Sequence, residues 1–156
     1  MDKPNIICID DQRQILATLQ KDLEYFDEYF TIQTCESASE AEDLLSSLAD
    51  ENEEVALLIC DHIMPGKNGI DFMIDIQNDS RFRYTKKILL TGLATHSDAI
   101  AAINDANVSH YLEKPWDTTE LLSIVKILIT QFIFQTGLER DVFLPILDLE
   151  TLQKMG

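Results

Sequence analysis

The sequence predicts a three-layer α/β fold: a doubly wound sheet of five parallel strands with five helices on its two faces. Three observations predict it. Short apolar runs alternate with amphipathic ones along residues 5–134, as βα units require. One run, Val55–Asp61 (VALLICD), is apolar almost without interruption, as a central strand covered on both faces should be. Asp, Thr and Lys residues gather at the carboxyl ends of four of these runs, where such folds open their functional crevice.

Taken in order, residues 5–10 (NIICID) read as a buried strand. Ile15, Leu16, Leu19, Leu23 and Phe26 then recur at helical spacing over residues 12–27. Residues 30–35 (FTIQTC) form the second strand, and 39–49 a helix with Ala41, Leu44, Leu45 and Leu48 on one face. The third strand ends at Asp61, and a loop containing Pro65 and Gly66 leads into a helix over 69–78. Residues 87–91 (KILLT) form the fourth strand. Ser97 fits the N-cap of a helix running to 107, with Ala99, Ile100, Ala102 and Ile103 inside it. Residues 109–113 (SHYLE) form the fifth strand, and Thr118 or Thr119 fits as the cap of the last helix.

That last helix is unusual. Leu121, Leu122, Ile124, Val125, Ile127, Leu128, Ile129, Phe132, Ile133 and Phe134 surround nearly the whole wheel, so it needs cover on more than one side. Gly137 stops it. Residues 1–130 are expected to form one domain, and 131–156 a C-terminal extension whose apolar stretch 142–147 (VFLPIL) either packs back, binds a partner or begins a further domain.

Composition narrows the function. The chain has 156 residues, 46% of them hydrophobic, enough for one globular core. Its net charge of −16 argues against a nucleic-acid surface, which needs clustered Lys and Arg. The nearest basic cluster, Arg81, Arg83, Lys86 and Lys87, reads as a solvated loop. Cys8, Cys35 and Cys60 lie in or beside apolar runs and form no CxxC, which suggests buried reduced thiols in a cytoplasmic protein. The N-terminal residues lack a signal-peptide core, and the apolar stretch 121–134 falls short of the roughly 20 residues that span a bilayer, so no membrane association is expected.

The chemistry lies at the strand ends: Asp10-Asp11 after the first strand, Asp61 at the third, Thr91 at the fourth and Lys114-Pro115 after the fifth. Each has a plain structural reading. Asp11 with Gln14 fits a capping box, Asp61 can cap a turn, and Lys114 alone reads as a surface lysine. Together they ask for more, because three carboxylates converging at one sheet edge repel. Mg²⁺, which takes one or two carboxylates plus waters and phosphate oxygens, relieves that repulsion. A carboxylate held between such a cation and the Lys114 ammonium is a plausible nucleophile toward a phosphoryl donor.

These residues, with Tyr111 and the run Asp61-His62-Ile63-Met64-Pro65-Gly66-Lys67-Asn68-Gly69, resemble the receiver domains of two-component response regulators over residues 4–130. The resemblance implies a flavodoxin-like fold and a signalling domain that promotes only its own phosphorylation and dephosphorylation, not an enzyme acting on other substrates. It implies that Asp61 accepts a phosphoryl group from a histidine kinase, a phosphotransfer protein or a small phosphodonor. Asp11, Asp61 and the Ile63 carbonyl would hold Mg²⁺ directly, with Asp10 acting through water. Thr91 and Lys114 would contact the phosphoryl oxygens, and Tyr111 would be the switch aromatic that turns inward behind Thr91. The Lys114–Pro115 bond would be cis. Ile63 and Leu93 would flank the hydrolytic water, and both are apolar, so slow self-dephosphorylation is expected.

The readout surface would be the helix over 97–107, the fifth strand and the last helix, used for homodimerisation or for docking a downstream output domain or protein. Two rival readings fit less well. An aspartate-nucleophile phosphatase or phosphotransferase commonly has a second acid where Ile63 stands, and a never-phosphorylated interaction module has no need of all five site residues. His62, His96 and His110 read as ordinary loop or strand-edge histidines, and Trp116 as packing at the base of the last helix.

Overall fold

In a computed structural model of the chain, which describes residues 3–92, 97, 100 and 104–155, five parallel strands form one sheet. They are β1 (Asn5–Ile9), β2 (Thr31–Cys35), β3 (Val55–Asp61), β4 (Lys86–Thr91) and β5 (His110–Glu113), in the order β2-β1-β3-β4-β5. Among the described residues there are six α-helices: α1 (Arg13–Asp22), α2 (Ala38–Asp50), α3 (Gly69–Gln77), α4 (Thr118–Thr136), α5 (Arg140–Phe143) and α6 (Leu149–Met155). The predicted doubly wound fold is therefore present, and α5 and α6 come from the tail. The helix expected over 97–107 falls largely outside the described residues, as does Leu93.

Alternation along the strands divides the core in two. Ile6, Cys8, Leu57, Ile59, Ile88 and Leu90 face α1 and α4, whereas Ile7, Ile9, Leu58, Cys60 and Leu89 face α2 and α3. β1 and β3 are buried along their whole length, which is why their sequences carry no polar alternation. Because β1 lies between β2 and β3, the chain reverses its winding there, and a crevice opens beyond the carboxyl ends of β1 and β3.

Helix ends depart from the sequence reading in instructive ways. α1 stops at Asp22, and its stripe continues through a 3-10 turn, Leu23–Phe26, that still buries Leu23 and Phe26. The capping box expected of Asp11 is not formed: Gln12 occupies the N-cap and makes no side-chain cap bond. α4 is capped by Asp117 in place of either threonine, its carboxylate accepting from the Thr119 N–H at 2.8 Å. An aspartate caps as well as a threonine and adds a charge that the helix dipole favours. Lys87 does not belong to a solvated loop either. It is 2% exposed in β4, and its ammonium donates to Gln77 at 3.0 Å.

The apolar girth of α4 is explained by two layers of cover. Leu121, Val125, Leu128, Ile129 and Phe132 join the sheet core. The tail folds back over the adjoining side, placing Phe143, Ile146 and Leu147 in the same core. The Phe143 ring lies 5.6 Å from that of Phe30, and the Asp148 N–H donates to the buried Thr130 hydroxyl at 2.8 Å. Gly137 ends α4 with φ +73°, a left-handed conformation open to glycine at little cost. By length and composition α4 resembles a membrane span, but its buried stripe marks it as a core helix.

Candidate functional site

The sheet brings the expected residues to one edge. Asp10 follows β1, where its N–H still pairs with the Cys35 carbonyl at 3.1 Å, so it leaves the strand in a fixed direction. Its side chain is fully buried. One carboxylate oxygen accepts from the Gln12 N–H at 2.8 Å and the other from the Lys114 ammonium at 2.7 Å. Asp61 ends β3, 6% exposed, with an oxygen 2.9 Å from the same ammonium. Asp11 is exposed at the rim. Asp10, Asp11 and Asp61 each present an oxygen within 4.8 Å of the other two.

Lys114 is placed by its backbone: its N–H bonds the Thr91 carbonyl at 2.9 Å, and the Lys114–Pro115 peptide is cis, as the resemblance implied. Thr91 is buried, and its hydroxyl has no hydrogen-bond partner among the described residues. Ile63, two residues after Asp61, is exposed. Tyr111 is not among the converging groups: it pairs with Leu89 one pleat below Thr91 and is partly exposed at the sheet edge. Trp116 packs against the core of α1 and α4 and donates to Asp22 at 2.8 Å. His96 lies outside the described residues, and His110 is exposed at the start of β5.

Gly69 makes the geometry possible. It begins α3 with its N–H bonded to the His62 carbonyl at 2.8 Å, and a Cβ there would sit 2.0 Å from the Asp61 carbonyl oxygen. Any side chain would push the helix off the strand end that carries Asp61.

The electrostatics follow from burial. Burial raises the Asp61 pKa, and the charges of Asp10 and Asp11 push the same way, against the opposing pull of Lys114. For Lys114, burial works against its charge, yet the bonds to Asp10 and Asp61 outweigh it and hold the pKa above the usual lysine value. Burial also raises the Cys60 thiol, next to Asp61, well above its ordinary range, so this cysteine is not a competing nucleophile. The donor set suits a hard cation: three carboxylates lie together, and the two buried ones share one ammonium. Sequence reasoning missed one residue of this edge. His62 is 6% exposed, and its Nδ1 has no partner among the described residues.

Comparison with known proteins assigns the class. The model of the response regulator receiver domain matches residues 6–126, and the chain belongs to that family, the receivers of two-component signalling. It is 30% identical over 146 residues to the hydrogenase transcriptional regulatory protein HoxA of Cupriavidus necator, covering 94% of this chain and 27% of that protein. It is 28% identical over 121 residues to the transcriptional regulatory protein CpxR of Escherichia coli strain K12, covering 78% of this chain and 47% of that protein. The chain thus spans from about a quarter to about half of these relatives' length. Among solved structures, the signal receiver domain of an HD domain-containing protein from Pseudomonas fluorescens Pf-5 superposes with a TM-score of 0.74 at 30% identity, covering 84% of this chain and 98% of that one.

Proposed function

We propose that this receiver works as a phosphorylation switch with Asp61 as the acceptor. The observation that carries the reading is the convergence of Asp10 and Asp61 on one half-buried ammonium, with an Asp11 oxygen within 4.8 Å of both. An Asp61 oxygen attacks the phosphorus of a phosphohistidine on a histidine kinase or phosphotransfer protein. The new O–P bond forms as the P–N bond breaks, and the imidazole leaves. Asp10, Asp11, Asp61 and the Ile63 carbonyl are the groups that would hold Mg²⁺, which when bound supplies charge neutralisation for the transferring phosphoryl group. Lys114 exchanges its Asp61 contact for a phosphoryl oxygen while its bond to Asp10 keeps it aimed. Thr91 donates its free hydroxyl to another phosphoryl oxygen.

The readout follows from Thr91. As it moves toward Asp61, the space behind it admits Tyr111, and the surface that β5 and α4 present changes shape. A homodimer, or a downstream output domain or protein, reads that surface. Where the chain forms part of a longer regulator, a transcriptional output is the reading that the names of HoxA and CpxR favour. The buried thiols suit a reducing cytoplasm.

Incubation with acetyl phosphate and Mg²⁺, followed by intact mass measurement, tests this. A gain of about 80 Da, one phosphoryl group, is expected in the wild type and is absent from Asp61→Ala. No gain, or one that persists in Asp61→Ala, removes Asp61 as the acceptor.

A further inference from the structure

The two buried polar side-chain atoms without a partner among the described residues, His62 Nδ1 and Thr91 Oγ1, belong to neighbouring positions of the sheet. β3 and β4 pair Cys60 with Leu89 and Asp61 with Leu90. The His62 N–H then donates to the Leu90 carbonyl at 2.8 Å, carrying the ladder one residue further and setting His62 beside Thr91. Adjacent strands lie about 4.8 Å apart, and side chains repeat on one face every second residue. His62 therefore continues the face of Cys60, and Thr91 that of Leu89, both toward α2 and α3. Tyr111, paired with Leu89, shares this face from the other side. Thr91 thus has His62 beside it on β3, while on β5 its partner is Glu113 and Tyr111 sits one pleat below.

An unpaired polar atom costs more when buried, and these two are complementary. A threonine hydroxyl has one hydrogen to donate, and Nδ1 of a neutral imidazole protonated on Nε2 accepts one. The structure leaves both atoms unbonded, and a turn of Thr91 about χ1 toward β3 would join them.

We propose that His62 is a positioning residue of the switch: in a second rotamer of Thr91, open to the unphosphorylated protein, its Nδ1 accepts the Thr91 hydroxyl and competes with the phosphoryl group for that hydrogen. The proposal rests on the phosphorylation reading above. His62 acts through Thr91 and touches no phosphoryl atom. It holds Thr91 back and so keeps Tyr111 outward until Asp61 is modified.

Replacing His62 by Leu keeps most of the buried volume and removes the acceptor. His62→Asn loses volume but places Oδ1 on the branch that Nδ1 occupied. Beryllofluoride, a phosphoryl mimic, is titrated with Mg²⁺ into the wild type and both variants, and the Tyr111 ring environment is followed by NMR. His62→Leu is expected to bind beryllofluoride about three- to tenfold more tightly, the worth of one hydrogen bond, with more Tyr111 inward before any is added. His62→Asn stays within about twofold of the wild type. In a Thr91→Val background the effect of His62→Leu disappears.

A histidine that merely fills space gives the opposite order, with Leu harmless and Asn disruptive, and that order overturns the proposal. Equal affinity of wild type and His62→Leu overturns it as well, while leaving Asp61 as acceptor untouched. Failure of the wild type to bind beryllofluoride removes both readings. A measurement without any substitution guards against a variant that does not fold. The ¹⁵N shift of His62 Nδ1 should move when beryllofluoride is added to the wild type, and an unmoved shift overturns the proposal.

Discussion

Lys114→Met tests how the site is balanced. The side chain is 16% exposed and reaches Asp10 at 2.7 Å and Asp61 at 2.9 Å, so the substitution strands two buried carboxylates. Breaking a buried pair by removing one partner costs about 3–5 kcal/mol. Protonation relieves the loss. The Asp61 carboxyl is already raised by burial, and Lys114 is what opposes the rise, so in the variant it climbs further. A carboxyl whose folded pKa lies above its unfolded value gives stability that is present below the unfolded value and lost as pH rises through the folded one. The deficit against wild type, measured by urea denaturation, is therefore largest near about pH 8 and shrinks toward about pH 5. Mg²⁺ should recover part of it at the higher pH, because a ligand that binds only the folded acids stabilises them. A deficit that is flat with pH and indifferent to Mg²⁺ would refute the reasoning, since it would mean that Lys114 contributes packing and little charge.

Two further outcomes follow. Burial lowers the Lys87 ammonium from 10.5 to about 8, and the charge of Lys86 adds to the effect. A depressed lysine withholds stability until pH passes its folded value. Lys87→Met is therefore more stable than wild type at neutral pH, and the gap narrows between pH 8 and pH 10.5, the window this shift defines. The narrowing amounts to about 3 kcal/mol at most, less for any water that reaches the amine. The cysteine thiols titrate alike in both proteins and cancel, and a constant gap across that window contradicts the shift. Phe143→Ala removes a ring packed against Phe30 and Tyr29. It should cost about 3–5 kcal/mol, or less where the tail undocks instead, and hydrogen exchange distinguishes the two by protection lost across residues 140–155. Unchanged stability and protection would mean that the tail does not hold α4.

Much of this was legible in the sequence, for definable reasons. A strand buried on both faces must be apolar throughout, so the first charged residues after NIICI and within VALLICD mark where the chain leaves the core, and these are the acids of the site. The same continuity hid His62. With no alternation in β3, nothing distinguishes a residue that turns inward past Asp61 from one that turns out. Lys87 was misread because the burial of its long stem and the bond to Gln77 come from α3, which no local pattern near residue 87 announces. The choice of Asp117 over Thr118 or Thr119 as cap rested on one residue of register among three good candidates. The tail was visible as apolar, but its occupant face was not. Only the packed structure pairs Thr130 with Asp148 and seats Phe143 beside Phe30.

The acids and the lysine at the strand ends are held here to form one cation-dependent site, and a calorimetric Mg²⁺ titration asks this most directly. Saturable binding to a single site is expected in the wild type, weakened at least about tenfold in each of Asp10→Ala, Asp11→Ala and Asp61→Ala. A wild type without saturable binding, or an affinity that all three substitutions leave unchanged, would contradict the account.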